Sequence, residues 1–168
     1  MLNKRTKNSN ILCVKGLKKY FPIQKGFFKR IVGHTKAVDG VDFFIKKGET
    51  VGLVGESGSG KTTVGRCIVR LYKPTEGKVE FCLNGEMKNM LELNKKELKE
   101  ARKCIQMLFQ DPNSSLNSRL RIGNIIAEPL TIHEIGTSKE RIDRAKELLV
   151  TVGLSEDSVN KYPHQFSG

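Results

Sequence analysis

The segment from Gly55 to Thr62 combines glycines, one lysine and hydroxyl side chains, and it fits the pattern G-x-x-x-x-G-K-[ST] in full. Glycines let the main chain wrap closely around a phosphate group, and successive N–H groups then form a concavity that binds anions. Lys61 would place a positive charge between the β and γ phosphates, and Thr62 would offer a hard oxygen to Mg²⁺. The predicted chemistry is the binding of a nucleoside triphosphate with Mg²⁺. The candidate phosphate-binding residues are Gly55, Glu56, Ser57, Gly58, Ser59, Gly60, Lys61, Thr62 and Thr63.

Two predicted elements flank this loop and would hold it in place. Residues 50–54 are apolar on both faces, which is typical of a buried central strand. Residues 61–72 predict a helix, because apolar side chains recur at helical spacing and Pro74 follows. The motif indicates a phosphate-binding loop when it follows a strand and precedes a helix, as is predicted here. We therefore favour a phosphate site over a glycine-rich turn that binds no ligand.

Further strands are predicted on both sides of the loop. Residues 11–14 and 41–45 indicate an antiparallel pair joined by a long loop over residues 22–36. Residues 79–83 alternate as a half-buried strand that ends at an Asn-Gly turn, and residues 105–109 are a second candidate for a buried strand.

Helical patterns dominate the second half of the chain. Residues 122–132 are apolar but are interrupted by Pro129. Residues 138–152 predict an amphipathic helix that Gly153 ends, and a shorter helix is predicted over residues 95–103. Capping boxes are predicted at the start of two of these helices. Asn94 with Glu97 would open the helix over residues 95–103, and Thr137 with Glu140 would open the helix over residues 138–152.

The composition is that of a globular protein with an uneven charge distribution. The chain has 168 residues, with 30 Lys and Arg against 18 Asp and Glu, and a net charge of +12. Residues 1–48 hold 12 basic and 2 acidic side chains, so almost all of the excess is N-terminal. A nucleic-acid reader would carry its charge on the elements that dock, and we therefore expect no nucleic-acid partner. Contact with anionic lipid and a merely solvated basic segment both stay open.

No apolar run approaches the roughly 20 residues that a membrane-spanning helix needs, and the N-terminus lacks the apolar stretch of a signal peptide. We therefore expect a cytoplasmic protein. The four cysteines show no C-x-x-C pair, which predicts reduced, mostly buried thiols rather than metal ligands; they are Cys13, Cys67, Cys82 and Cys104. The histidines have no acidic or serine partner at a telling spacing and are no catalytic candidates; they are His34, His133 and His164.

Residues outside the loop resemble those of a known family. Gln110 follows the apolar run 105–109 at a distance of 49 residues from Lys61, and the chain ends with Tyr-Pro-His-Gln-Phe-Ser-Gly. Together with the glycine-rich loop, these features resemble the ATP-binding subunits of ABC transporters, in which the glutamine marks the Q-loop and Phe-Ser-Gly opens the signature motif. The segments similar to the dipeptide and oligopeptide importer branch are residues 17–22, 33–41, 125–130 and 162–168.

The resemblance implies an α/β fold with a P-loop NTPase (RecA-like) core, an antiparallel β subdomain and an incomplete ABC helical subdomain. The core, its β subdomain, the Walker A motif and the start of the Q-loop would occupy residues 1–112. The helical subdomain would occupy residues 113–168 and end at the signature motif.

The resemblance also implies roles for residues outside the loop. Tyr20 would stack on adenine and Val38 would lie against the ribose. Gln110 would reach Mg²⁺ or the attacking water, while its loop touches the membrane subunits. Ser167 and Gly168 would act in trans on the γ phosphate held by a second subunit.

The family pattern continues with Gly-Gln, a strand ending in Asp-Glu, an Asp-containing loop and a switch histidine, none of which occurs in this sequence. In the family the glutamate of the Asp-Glu pair acts as the general base on water. No catalytic residue is therefore predicted here. We expect an N-terminal portion of a transport ATPase that can cradle ATP but does not hydrolyse it alone at a useful rate.

The function implied is that of an ATP-binding subunit of an ABC importer, which couples ATP binding and hydrolysis to uptake of oligopeptides or dipeptides. The cofactors implied are ATP and Mg²⁺. The partners would be a second ATP-binding subunit, integral membrane permease subunits and, indirectly, an extracellular substrate-binding protein. The subunit would be peripheral on the cytoplasmic face of the membrane. The alternatives are a non-transport ABC-type ATPase of DNA repair or translation, and an inactive truncated remnant.

Overall fold

The structure is a computed structural model and describes residues 10–110 and 116–166. The chain divides into two compact units, one up to Met107 and the other from Leu108 onward. None of the helices in the two described ranges is long and apolar enough to cross a membrane.

The first unit contains a four-stranded antiparallel sheet. Its strands are β1 (Asn10–Lys25), β2 (Arg30–Lys46), β3 (Glu76–Leu83) and β4 (Glu86–Asn89), in the order β2-β1-β3-β4. The predicted antiparallel pair and the third strand are therefore confirmed. An Asn-Gly turn joins β3 to β4, with both residues in the left-handed region that such a turn requires.

The long loop predicted over residues 22–36 is wrong, because β1 and β2 continue through it to a tight turn. The main-chain N–H of Lys29 donates to the carbonyl oxygen of Gly26 at 3.0 Å and closes this turn. Beyond Lys18, β1 has lost its pairing with β3 and pairs with β2 alone. Residues 22–32 of this two-stranded ribbon are exposed to solvent, so their sequence lacks the apolar alternation by which a strand is recognised.

The core of the first unit lies between the sheet and the helices that follow the loop. Helix α1 spans Lys61–Ile68 and buries Val64 and Cys67, and α2 spans Lys95–Ala101 and buries Ala101. The buried apolar residues that the sheet and its connections contribute are Leu12, Val14, Leu17, Val38, Val79, Phe81, Met90 and Leu93.

Helix α1 is shorter than the predicted helix over residues 61–72. Arg70 takes a left-handed main-chain conformation with φ 54°. From there its guanidinium Nη1 donates to the carbonyl oxygens of Met90 at 3.1 Å and Leu93 at 2.7 Å. These tertiary hydrogen bonds end the helix, and Leu71 becomes exposed instead of joining the apolar stripe.

The buried strands predicted over residues 50–54 and 105–109 are wrong. Neither segment pairs with a strand in the described part of the chain, and Val54 and Leu108 are 95% and 93% exposed. A β-strand is held by hydrogen bonds to a neighbour, and a strand apolar on both faces also needs a covering layer on each. The apolar composition of a segment does not show whether the rest of the fold supplies a neighbouring strand or a covering layer.

The second unit is helical. Helix α3 spans Ile122–Ile132 and α4 spans Ser138–Thr151, followed by 3₁₀ turns over Glu156–Asn160 and Pro163–Phe166. Ala145, Leu149 and Val159 form its core, with partly buried isoleucines of both helices packed around them.

The local helix signals have mixed outcomes. Both predicted capping boxes are confirmed, and Thr137 and Glu140 exchange hydrogen bonds at the start of α4. The interruption predicted at Pro129 is wrong, because α3 runs through it. Proline removes a single N–H donor, and the helix resumes with the hydrogen bond from the N–H of His133 to the carbonyl oxygen of Pro129 at 3.0 Å.

All four cysteines are free, as predicted, but only Cys67 is buried. Cys13 and Cys82 are half-buried on strands, and Cys104 is exposed in the segment that follows α2. The prediction of mostly buried thiols is therefore wrong, because the strand cysteines alternate out of the core. Within residues 10–110 and 116–166, no group of His, Cys, Asp or Glu is arranged to hold a metal ion.

Candidate nucleotide-binding site

The glycine-rich loop closes around the side chain of Lys61. Its ammonium Nζ donates to the carbonyl oxygens of Gly55 at 2.7 Å and Glu56 at 2.6 Å, and to the hydroxyl of Ser59 at 3.2 Å. The main-chain N–H of Ser59 also donates to the carbonyl oxygen of Glu56 at 3.2 Å. The loop is therefore curved around a single positive charge.

The loop leads directly into the N-terminus of α1. Gly60 is the residue that caps this helix, with φ 91°, and no side chain hydrogen-bonds to the cap. The first N–H groups of a helix have no partner within the helix, and they carry its positive end. With the ammonium of Lys61 beside them, these groups are suited to bind an anion.

The loop also touches β2 through Gly60. A Cβ atom at this position would lie 2.1 Å from the main-chain oxygen of Ala37 and 3.5 Å from Cγ2 of Val38. The positive φ and this close approach together require glycine. The contact places the start of α1 against β2, where Val38 is buried.

Tyr20 lies near this contact, because the register of the sheet pairs Tyr20 with Lys36 and Lys19 with Val38. The hydroxyl of Tyr20 donates to the carboxylate of Asp39. The ammonium of Lys36 lies 5.4 Å from the centroid of the Tyr20 ring and 3.2 Å from the same carboxylate. The ring is thus held by its hydroxyl.

These contacts shift the pKa values of the three groups. The hydrogen bond to Asp39 raises the pKa of Tyr20, and the hydrogen bonds from Tyr20 and Lys36 lower the pKa of Asp39. The hydrogen bond to Asp39 also raises the pKa of Lys36. The cluster therefore keeps the tyrosine neutral and the other two groups charged over the physiological range.

Asp39 is a residue that the sequence analysis missed. It orients Tyr20 and neutralises Lys36, and its position one residue after Val38 offered a weak signal. The contact depends on the register between β1 and β2, which the sequence did not reveal. Without that register, an Asp in a Val-Asp-Gly sequence is typical of a solvent-exposed turn, and nothing in the sequence indicates that it contacts Tyr20.

The structure thus brings Val38 against the loop at Gly60, and it places Tyr20 on β1 next to Lys19, the strand partner of Val38. Thr62 is exposed at the start of α1, where its hydroxyl fits the hard oxygen ligand that Mg²⁺ prefers, and Thr63 is half-buried. Gln110 is exposed in the second unit, and its role toward Mg²⁺ stays a prediction. Ser167 and Gly168 lie outside the described residues.

A glycine-rich loop that closes around a lysine at the N-terminus of a helix is the feature that defines P-loop nucleotide-binding proteins. The model of the family described as ABC transporter matches residues 38–168. The chain belongs to the ABC transporter family, and the predicted family is confirmed.

Relatives with known names confirm the resemblance to the peptide importer branch. The chain is 52% identical over 158 residues to the oligopeptide transport ATP-binding protein AppF of Bacillus subtilis, a match that covers 94% of this chain and 47% of the relative. It is 50% identical over 159 residues to the oligopeptide transport ATP-binding protein OppF of the same organism, covering 94% and 49%. The chain therefore spans about half the length of the curated relatives it matches.

Solved structures confirm the fold class. The ATP-binding cassette MJ0796, in a dimeric post-hydrolysis state bound to ADP and phosphate, superposes with a TM-score of 0.68 at 29% identity, covering 93% of this chain and 63% of that one. A dimeric structure of MJ0796, described as a bacterial ABC transporter cassette, gives a TM-score of 0.69 at 30% identity, covering 94% and 63%. The chain has an ABC cassette fold of the P-loop NTPase type, with an antiparallel sheet.

Proposed function

We propose that this chain is the nucleotide-binding part of an ATP-binding subunit of an ABC importer for oligopeptides. The observation that carries the proposal is the position of the Lys61 ammonium, held inside the glycine-rich loop at the N-terminus of α1. The names of AppF and OppF, oligopeptide transport ATP-binding proteins, support the cargo class.

The proposed binding mode assigns each end of the nucleotide to a described part of the first unit. The N–H groups of the loop and the ammonium of Lys61 bind the β and γ phosphates of ATP. The ammonium exchanges its carbonyl partners at Gly55 and Glu56 for phosphate oxygens, because a charged acceptor forms the stronger hydrogen bond. The hydroxyl of Thr62 would hold Mg²⁺, which would supply positive charge beside the phosphates.

The adenine would stack on the ring of Tyr20, which is fixed in orientation by its hydrogen bond to Asp39. Val38 is buried beside Gly60, so its proposed contact with the ribose rests on the family resemblance alone. Stacking needs only an aromatic face, and the hydrogen bond sets the direction in which that face is presented.

The remaining roles are proposed from the family membership. Gln110 would contact Mg²⁺ or the attacking water, and Ser167 with Gly168 would contact the γ phosphate of ATP held by a second subunit. The dimeric MJ0796 structures support the pairing of two cassettes. The subunit would act with membrane permease subunits and, through them, with a substrate-binding protein. It would lie peripherally at the cytoplasmic face of the membrane.

Hydrolysis is not assigned to the residues of this chain. The described residues would supply phosphate and adenine contacts, but the Asp-Glu pair that provides the general base in the family does not occur in the sequence. We propose that the 168-residue chain alone binds ATP and does not hydrolyse it at a useful rate.

The phosphate half of the proposal is tested by titrating the chain with a fluorescent ATP analogue in Mg²⁺, comparing wild type with Lys61→Met. Each charge-assisted hydrogen bond contributes about 1.5–3 kcal/mol, so we expect affinity to fall by about one to two orders of magnitude. Lys47→Ala removes an exposed lysine of the turn after β2 and should change affinity less than about twofold. Equal binding by Lys61→Met and wild type, with unchanged circular dichroism, contradicts the proposal.

The adenine half is tested separately, with ATP and inorganic triphosphate as ligands. Tyr20→Ala should weaken ATP binding by about 5-fold to 150-fold, since stacking contributes about 1–3 kcal/mol per base, and leave triphosphate binding unchanged. Tyr20→Phe keeps the ring and loses the hydrogen bond to Asp39, so its affinity for ATP should lie between those of wild type and Tyr20→Ala. An equal loss for both ligands would show that Tyr20 supports the fold and does not contact adenine.

A further inference from the structure

The ribbon formed by β1 and β2 ends in a tip that no described residue covers. We call residues 23–32 the hairpin tip. Pairing between β1 and β3 stops at Lys18, so the tip projects past the edge of the sheet as a two-stranded ribbon. Phe27 and Phe28, in the turn itself, are 96% and 82% exposed.

The exposed apolar side chains form a patch at the end of the ribbon. The rings of Phe27 and Phe28 pack edge to face, with centroids 5.7 Å apart, and Ile31 and Val32 are exposed beside them. Single exposed apolar residues are common on protein surfaces, whereas a contiguous apolar patch usually marks a contact surface.

The charge around this patch has one sign. Lys25, Lys29 and Arg30 flank the phenylalanines, and the sequence from residue 20 to residue 38 contains no Asp or Glu. Lys36, further down the ribbon, is paired with Asp39 and belongs to the nucleotide site. The tip therefore carries three cations around an apolar end.

We propose that the hairpin tip binds an anionic membrane surface. Phe27 and Phe28 enter the boundary between the headgroups and acyl chains, and Lys25, Lys29 and Arg30 bind lipid phosphates. The tip is convex, which suits a deformable lipid surface, whereas a protein partner would need a pocket shaped to take two rings. The contact goes beyond the proposed function and requires no bound nucleotide.

Insertion of the tip is tested with a tryptophan reporter, because the chain has no tryptophan. With vesicles of phosphatidylcholine and phosphatidylglycerol, Phe27→Trp should show a blue-shifted emission and quenching by lipids brominated in the acyl chain. With phosphatidylcholine alone the shift should be much smaller. Val152→Trp, at an exposed site in the second unit, should show neither change. An unshifted, unquenched Phe27→Trp in the presence of bound vesicles overturns the proposal.

The energetic roles are tested by vesicle sedimentation. Each basic residue near an anionic surface changes partitioning about fivefold, so joint replacement of Lys25, Lys29 and Arg30 by glutamine should reduce binding about 100-fold. Joint replacement of Phe27 and Phe28 by serine should reduce it at least about tenfold. The control changes Lys95 and Lys96, exposed on α2, to glutamine and should have less effect than the loss of any two tip charges.

Two further outcomes overturn the proposal. Unchanged sedimentation of the phenylalanine variant would reduce the contact to non-specific charge attraction. Binding of wild type to soluble polyglutamate but not to anionic vesicles would assign the tip to an acidic protein partner. Circular dichroism of each variant, together with its nucleotide titration, separates a loss of membrane binding from a loss of folding.

Discussion

Replacing Gly60 with alanine should destabilise the first unit more than the same change at Gly58. Both glycines lie in the same loop and both have positive φ, 91° at Gly60 and 82° at Gly58. Their surroundings differ, because a Cβ at Gly60 would lie 2.1 Å from the main-chain oxygen of Ala37, and a Cβ at Gly58 would meet no atom within 4 Å. Gly58→Ala is therefore a matched control, because it bears only the cost of placing an alanine in the left-handed main-chain conformation.

The magnitude follows from these two contributions. An alanine in the left-handed region costs about 1–2 kcal/mol, and both variants bear this cost. At Gly60 the new methyl group also overlaps a main-chain atom, which cannot move away by a side-chain rotation. Overpacking of this kind costs about 1–3 kcal/mol. We expect a loss of about 1–2 kcal/mol for Gly58→Ala and about 2–5 kcal/mol for Gly60→Ala.

The assay is equilibrium urea unfolding followed by far-ultraviolet circular dichroism, with the free energy of unfolding obtained for wild type and both variants. The contact between the loop and β2 also predicts that Gly60→Ala weakens binding of the fluorescent ATP analogue, because the start of α1 must shift. Equal losses of stability for the two variants would refute the reasoning, since they would show that the contact with Ala37 carries no energy.

The other predictions concern both units. Gly123→Ala should destabilise the second unit by about 1–3 kcal/mol, because the added Cβ would lie 2.3 Å from Cγ2 of Val159; unchanged urea unfolding contradicts this packing. Iodoacetamide should modify the exposed Cys104 first and Cys67 last, because Cys67 is buried and burial raises its pKa; peptide mass spectrometry gives the order, and equal rates contradict it. At the start of α4, the hydrogen bond from the main-chain N–H of Thr137 to the carboxylate of Glu140 is the main cause that lowers the pKa of Glu140 from 4.5, and the Thr137 side chain lowers it further. The stability that Glu140 contributes is therefore present above pH 4.5 and is lost as the pH falls through its lowered pKa, so Glu140→Gln should show a weaker acid dependence of unfolding than wild type.

Features encoded within a few consecutive residues could be predicted from the sequence. The entry of the glycine-rich loop into a helix, both capping boxes and the turn after β3 each depend on residues at most eight positions apart, and the structure contains each of them. These signals are local because the hydrogen bonds that they describe connect near neighbours in the chain.

Features that depend on distant partners were missed. Residues 50–54 and 105–109 have the composition of buried strands, but pairing and cover come from other parts of a fold, and the described residues supply neither. The contact of Gly60 with Ala37 and the hydrogen bond of Tyr20 with Asp39 both require the register of β1 against β2. That register could not be read from a ribbon that is exposed to solvent over most of its length.

The contact between the loop and β2 has a consequence for how this part of the chain can vary. Ala37 meets Gly60 through its main-chain oxygen, an atom that every amino acid supplies. Position 37 is therefore open to substitution by any side chain that the half-buried strand tolerates, while every substitution at position 60 carries the cost of the close contact and of the positive φ. The seating of the loop on β2 therefore depends on a backbone atom of β2, and it can persist while the side chain at position 37 changes.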